Sequence, residues 1–199
     1  MASKDKGTIR IIGGHWRSRK VAFTNDGAIR PTPDRVRETL FNWLQPHIQG
    51  AHCLELYAGS GILSIEALSR GAEHVTIVDQ SSSTTQGIRN SLRALDASTT
   101  RYQCIQADAG VWIEQQSQAA WDIIFLDPPF AGDELAVVLP IVSNRRLLKN
   151  DGLVYIETPR ELSRHDLPIA WEILRSKQAS NVHYCLCRQA DHKPTRDSG

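Results

Sequence analysis

Residues 51–79 read AHCLELYAGSGILSIEALSRGAEHVTIVD, and the periodicity of this stretch decides the fold. His52 to Tyr57 is a short apolar run ending in glycines. Ile62 to Arg70 carries apolar residues at helical spacing, and Glu73 to Asp79 is again strand-like. The pattern repeats downstream. Ser81 to Leu95 reads as a helix with Ser81 as N-cap, Tyr102 to Ala107 as a strand, Ala109 to Gln118 as a helix, and Trp121 to Asp127 as a strand closed by two prolines. Glu134 to Leu148 reads as a helix kinked at Pro140, Asp151-Gly152 as a turn, and Leu153 to Glu157 as a strand. Trp171 to Lys177 and Val182 to Arg188 follow one another closely and read as an antiparallel hairpin on the sheet edge. Seven strands alternating with helices predict an α/β, Rossmann-like fold, a mostly parallel sheet covered on both faces.

Toward the N-terminus the pattern changes. Thr8 to Ile12 is strand-like, Gly13-Gly14 breaks it, and Arg17 to Phe23 reads as a second strand. Thr32-Pro33-Asp34 starts a helix, with Thr32 as N-cap and Pro33 at the first helical position. That helix runs to about Leu44, with Val36, Leu40, Trp43 and Leu44 on one face. The expected organisation is a small β/α extension over residues 1–50, a catalytic domain over 51–189, and a polar, disordered tail over 190–199.

Composition narrows the class. The chain has 199 residues, 41% apolar and 23% charged, a balance that excludes a largely disordered protein. No apolar run approaches the roughly 20 residues a membrane helix needs. The opening Met-Ala-Ser-Lys-Asp-Lys has no apolar core behind it and is not a signal peptide, so a cytoplasmic monomer is expected. Cys53, Cys104, Cys185 and Cys187 form no C-x-x-C pair and read as reduced thiols; the histidines are scattered, so no metal is expected. Net charge is +1, yet residues 1–40 carry nine Lys/Arg against four acids, +5, which leaves −4 for the remainder. A basic block on a neutral-to-acidic body points to a polyanion-binding surface.

The glycine turn Glu55-Leu56-Tyr57-Ala58-Gly59-Ser60-Gly61 joins a strand to a helix, where glycines permit close backbone approach to a ligand and the helix start offers free N–H groups. Asp79 ends the next strand, suited to ribose hydroxyls, and Asp108 ends the third, suited to an adenine amino group or to capping its helix. Ser64 stands where a dinucleotide fingerprint wants its third glycine. Glu55 would repel a pyrophosphate but suits an ammonium or sulfonium, which favours S-adenosylmethionine over NAD. The cofactor-binding candidates are Glu55, Tyr57, Ala58, Gly59, Ser60, Gly61, Asp79, Gln80, Asp108 and Ala109.

Asp127-Pro128-Pro129-Phe130 ends the fourth strand on the same sheet edge. Two prolines fix φ and donate no hydrogen bond. A carboxylate, an adjacent acceptor carbonyl and an aromatic face form a clamp for a planar ring with an exocyclic amine. Phe130 stacks the ring, while Asp127 and the Pro128 carbonyl hold the amino hydrogens. These four are the catalytic candidates.

The E-L-Y-A-G-S-G turn with D-P-P-F resembles class I S-adenosylmethionine-dependent methyltransferases that modify exocyclic amino nitrogens. The strings Arg10-Ile11-Ile12-Gly13-Gly14 and Arg30-Pro31-Thr32-Pro33-Asp34-Arg35-Val36-Arg37-Glu38 narrow the resemblance to the bacterial small-subunit ribosomal RNA guanine-N2 methyltransferase D family, over roughly residues 8–188. The resemblance implies methylation of guanine 966 of 16S rRNA in the assembled small subunit. Many guanine-N2 enzymes have Asn where this chain has Asp127.

The expected chemistry is direct in-line methyl transfer to a base drawn from its stack, with no covalent enzyme intermediate. Arg10, Arg17, Arg19, Lys20, Arg30 and Arg35 are candidates for gripping RNA phosphates. Gly13-Gly14 would allow close approach, and His15-Trp16 offers stacking surface unless Trp16 is a buried anchor. Three alternatives stay open: an adenine- or cytosine-N methyltransferase on DNA, a non-catalytic RNA-binding protein, and a nicotinamide-linked oxidoreductase.

Overall fold

The computed structural model describes residues 5–25, 31–130 and 132–189. Arg30 and the expected disordered tail lie outside them. The N-terminal hairpin comprises β1 (Asp5–Arg10) and β2 (Lys20–Asn25), paired antiparallel as a separate sheet. Then follow α1 (Asp34–Leu44), β3 (His52–Leu56), α2 (Ile62–Ser69), β4 (His74–Asp79), α3 (Ser82–Ala94), β5 (Tyr102–Gln106), α4 (Ala109–Glu114), β6 (Trp121–Leu126) and α5 (Glu134–Asn144). The chain closes with β7 (Leu148–Thr158), β8 (Trp171–Ala179) and β9 (Val182–Gln189).

The large sheet has the strand order β5-β4-β3-β6-β7-β9-β8. β3 pairs parallel with both β4 and β6, and β6 pairs parallel with β7. The hairpin β8–β9 adds antiparallel at the edge, as its sequence predicts. The order reverses at β3, so the crevice beyond the C-terminal ends of β3 and β6 is the topological switch point where such sheets bind ligands.

Alternation along the central strands sorts residues to two cores. Cys53, Ile123, Phe125, Leu153 and Tyr155 pack on the face covered by α1, α2 and α3. Leu54, Leu56, Ile124, Leu126, Val154 and Ile156 pack on the face of α4 and α5. Glu55 falls in step with the first set between Cys53 and the glycine turn, and Glu157 does so two residues after Tyr155.

Local structure departs from the sequence reading at several places, beginning with β2, which starts at Lys20 rather than Arg17, and α4, which ends at Glu114 rather than Gln118. Thr32 does not cap α1: Pro33 occupies the N-cap position without a side-chain bond, and the Thr32 hydroxyl is engaged elsewhere. The helix at Pro140 ends at Asn144, four residues early, because Leu147 and Leu148 are buried as the chain enters β7. The Asp151-Gly152 pair lies within β7 rather than before it; Asp151 has φ +59° beside a register shift against β6. Ser81 caps α3 as expected, accepting from the Thr84 amide at 3.2 Å.

The N-terminal hairpin is bolted to α2. The Glu66 carboxylate, fully buried, accepts from the Ile12 and Gly13 amides at 2.9 and 2.7 Å, from Arg37 at 3.3 Å and from Arg70 at 2.8 Å. Ser69 Oγ accepts from the Trp16 amide at 2.9 Å and donates to the Gly13 carbonyl at 2.6 Å. Trp16 is a buried anchor, not a stacking surface. The close approach permitted by Gly13-Gly14 is to the protein itself. A Cβ on Gly13 would meet the Arg70 guanidinium at 2.4 Å, and one on Gly14, at φ +76°, would meet the Ser69 carbonyl oxygen at 1.9 Å. All four cysteines are free.

Candidate active site

Three strand ends build one site. Glu55 and Phe125 are register partners on β3 and β6, and Phe125 and Tyr155 are partners on β6 and β7. Asp127 and Glu157 follow those partners by two residues each, at the C-terminal edge. The Asp127 environment reflects this crowding: burial first, then Glu157 and Glu55, push its carboxyl well above the usual range. No hydrogen bond reaches the Asp127 carboxyl from any described residue.

Glu157 is the residue that sequence reasoning missed. It is 4% exposed, and its Oε1 accepts from the Tyr155 hydroxyl at 2.9 Å and the Thr32 hydroxyl at 3.1 Å. Its Oε2 has no partner among the described residues. Burial raises its pKa while the two hydroxyls oppose that shift. An acid ending a parallel strand was the available signal, the same one that marked Asp79.

The glycine turn forms as expected from its composition. Tyr57, Gly59 and Gly61 have φ of +59°, +53° and +68°. Glu55 lies beneath the turn, accepting from the Ser64 amide at 3.0 Å, and its pKa is pushed up to about 7 by burial against the opposing pull of that amide. The start of α2 is therefore occupied by a carboxyl group, not left open for a pyrophosphate. Asp79 takes the Gly59 amide on Oδ2 and the Ser81 amide on Oδ1, both at 2.9 Å. Each oxygen keeps a second lone pair for a ribose hydroxyl. Asp108 is the N-cap of α4, accepting from Val111 at 2.9 Å, which leaves its other oxygen uncommitted.

These elements enclose a cavity of about 830 Å³. It brings together Asp127, Pro128, Pro129 and Phe130 with every cofactor-binding candidate but Gly61, which is in the turn but not in the lining: Glu55, Tyr57, Ala58, Gly59, Ser60, Asp79, Gln80, Asp108 and Ala109. Its described lining contains seven acids (Glu55, Asp79, Asp108, Asp127, Asp133, Glu134 and Glu157) and no Lys, Arg or His. A wall of that sign disfavours a phosphorylated ligand and suits one carrying sulfonium and ammonium charges. The residues present therefore fit S-adenosylmethionine and not a dinucleotide. Phe130 remains 45% exposed at the cavity, available for stacking.

The basic candidates divide. Arg10, Arg17, Arg19, Lys20 and Arg35 are exposed, outside the cavity lining. Arg10 pairs with Asp34 at 3.2 Å, and Arg19 donates to the Ala94 carbonyl at 2.5 Å. Arg37 is fully buried between Glu66 and Asp34, which removes it from any RNA-facing surface. No helix among the described residues is long and apolar enough to cross a membrane.

Comparison with known proteins places this geometry. The family described as "Conserved hypothetical protein 95" matches residues 9–188. Ribosomal RNA small subunit methyltransferase D of Haemophilus influenzae is 37% identical over 182 residues, covering 91% of this chain and 94% of that protein. Its Escherichia coli namesake is 38% identical over 180 residues, 90% and 89% of the two chains. Among solved structures, a putative methyltransferase yhhF from E. coli superposes with a TM-score of 0.82 at 36% identity, covering 92% of this chain and 99% of that one. The sheet is thus a class I methyltransferase sheet.

Proposed function

The chain belongs to the "Conserved hypothetical protein 95" family, whose matched relatives include the small-subunit ribosomal RNA methyltransferase D proteins, and from that premise we propose that it transfers a methyl group from S-adenosylmethionine to the exocyclic N2 of a guanine in 16S rRNA. Guanine 966 in the assembled small subunit is the target we assign. The observation that carries this reading is the Asp127 carboxyl: without a hydrogen-bond partner among the described residues, beside Phe130, in a cavity whose described lining holds no cation.

Bound S-adenosylmethionine supplies an electrophilic methyl on a cationic sulfur. The protein's part is to hold the acceptor. Phe130 stacks a base drawn out of its helix, and Asp127 and the Pro128 carbonyl accept the two amino hydrogens. The guanine amine is a weak nucleophile because its lone pair is delocalised into the ring. Acceptors on both hydrogens favour rehybridisation and offset positive charge developing on nitrogen. Glu55, held by the Ser64 amide, and the Asp79 carboxylate supply negative charge around the donor's subsite. The exposed Arg10, Arg17, Arg19, Lys20 and Arg35 form the RNA-facing surface of residues 1–50, joined to the methyltransferase domain through Glu66.

The deciding experiment is mass mapping of 16S rRNA after incubating unmethylated small subunits with the protein and labelled donor. The expected product is N2-methylguanosine at one position. Label in adenosine or cytidine, or in duplex DNA instead of subunits, would overturn the assignment.

A further inference from the structure

The clamp of Asp127, Pro128 and Phe130 holds an exocyclic amine, and by itself it is indifferent to which base carries that amine. Guanine, adenine and cytosine differ at the neighbouring ring nitrogen. Guanine presents a donor there, N1–H, next to its amine; adenine N1 and cytosine N3 present acceptors. A site that reads guanine needs an acceptor adjacent to the amine clamp.

Resting on the function proposed above, we infer that Glu157 is that acceptor. Its Oε2 takes the N1–H of the target guanine while Asp127 takes the amine, and the pair selects guanine against adenine and cytosine.

Four observations carry this. First, Glu157 is the penultimate residue of β7, one strand away from Asp127: Leu126 and Ile156 are register partners, and the two acids are the next residues. Second, both line the same cavity. Third, the Glu157 side chain is committed on one oxygen only. Oε1 takes the Tyr155 and Thr32 hydroxyls, and Oε2 has no protein partner among the described residues although the residue is 4% exposed. Burial raises the pKa of the group, and the two hydroxyl donors oppose that shift in favour of the charged, acceptor-only form. Fourth, the supports are themselves fixed. The Thr32 carbonyl takes Arg37 Nε at 3.1 Å, and Arg37 is buried against Glu66. A buried acceptor held this firmly rejects a base that offers a second acceptor, because two lone pairs then face each other unpaired.

The hydroxyls also dictate what a substitution does. In Glu157→Gln, Oε1 still accepts from Tyr155 and Thr32, which directs the amide N–H₂ to the place of Oε2. The acceptor becomes a donor with no change of shape. 2-Aminopurine is the matching probe: it keeps the amine at C2 and presents an acceptor at N1.

The test uses small subunits reconstituted with 16S rRNA carrying guanine or 2-aminopurine at the methylated position, with S-adenosylhomocysteine affinity as a check on folding. Wild-type protein should methylate the 2-aminopurine subunits on the order of 100-fold more slowly than the guanine subunits. Glu157→Gln should lose guanine transfer by a similar factor, retain S-adenosylhomocysteine binding, and accept 2-aminopurine at least as well as guanine. Wild-type protein that treats both bases alike would overturn the inference, and that arm needs no variant. So would a Glu157→Gln protein that keeps its guanine preference or loses both substrates equally, since a merely structural role predicts the latter. Failure of the proposed function is a different result: no methyl deposited on guanine by the wild type.

Discussion

The Thr32 hydroxyl donates to Glu157 Oε1 at 3.1 Å, joining residues 125 positions apart and tying the segment before α1 to the end of β7. That bond favours the ionised Glu157. Removing it with Thr32→Val raises the Glu157 pKa, so the acidic limb of the pH–rate profile for methyl transfer should move to higher pH. Superimposable profiles for variant and wild type would separate Thr32 from the site.

Asp127→Ala removes the acceptor oxygens that the side chain contributes to the clamp. Methyl transfer should fall by about 10²–10³, the usual cost of losing one charge-stabilising group in a catalytic site, while S-adenosylhomocysteine affinity holds. Asp127 is raised well above its usual pKa by burial, then Glu157 and Glu55, so its ionisation as pH rises costs the folded state. The variant should therefore melt at or above the wild-type temperature at pH 8. A less stable variant would indicate a structural carboxylate.

Glu55 gives a stability signature with a defined sign. Its folded pKa is about 7 against an unfolded value near 4.3, so its contribution is full below the unfolded value and is lost as pH rises through 7. The full span corresponds to roughly 4 kcal/mol. Unfolding by urea between pH 5 and 8 should show falling stability, and Glu55→Gln should flatten the slope. Equal slopes would assign the pH dependence to Asp127 and Glu157 alone.

Glu66→Ala removes one acceptor shared by two backbone amides and two guanidinium groups, leaving the buried Arg37 with the half-exposed Asp34 as its remaining carboxylate among the described residues. Breaking a buried ion pair from one side costs about 3–5 kcal/mol. Urea unfolding should report that loss, with faster amide exchange at Ile12 and Gly13. A cost below 1 kcal/mol would mean the hairpin is held mainly by Trp16.

Arg17 and Lys20 are exposed on the hairpin. Changing both to Ala should weaken binding to small subunits and reduce the slope of log affinity against log salt by about 0.7 per lost phosphate contact on single-stranded RNA. Affinity and slope both unchanged would move the RNA-facing surface away from this hairpin.

The parallel sheet, the glycine turn and the placement of Asp127 were legible because each depends on local pattern: period-2 strands, a strand–glycine–helix junction, prolines after a strand. Asp108 shows the limit of that reading. The same acid at the same strand end serves both a ligand and a helix cap, and only the 2.9 Å bond to Val111 identifies the cap. Glu157 carried the strand-end signal that marked Asp79, but its pairing with Asp127 depends on the register of β7 against β6, set by packing at Phe125 and Tyr155. Gly13-Gly14 was read as room for RNA, and Trp16 was left open between a stacking surface and a buried anchor, for a related reason. A basic neighbourhood suggested RNA, while the partner that fills the space is Ser69 on a helix fifty residues later.

The sign of the cavity has a consequence for how deep a strand can travel. On the proposed function, phosphodiesters drawn to the cations of the hairpin would meet a rim behind which the described lining holds seven carboxyl groups and no Lys, Arg or His. Such a boundary would act as a sieve: the backbone would halt at the threshold, and only an uncharged ring would go through.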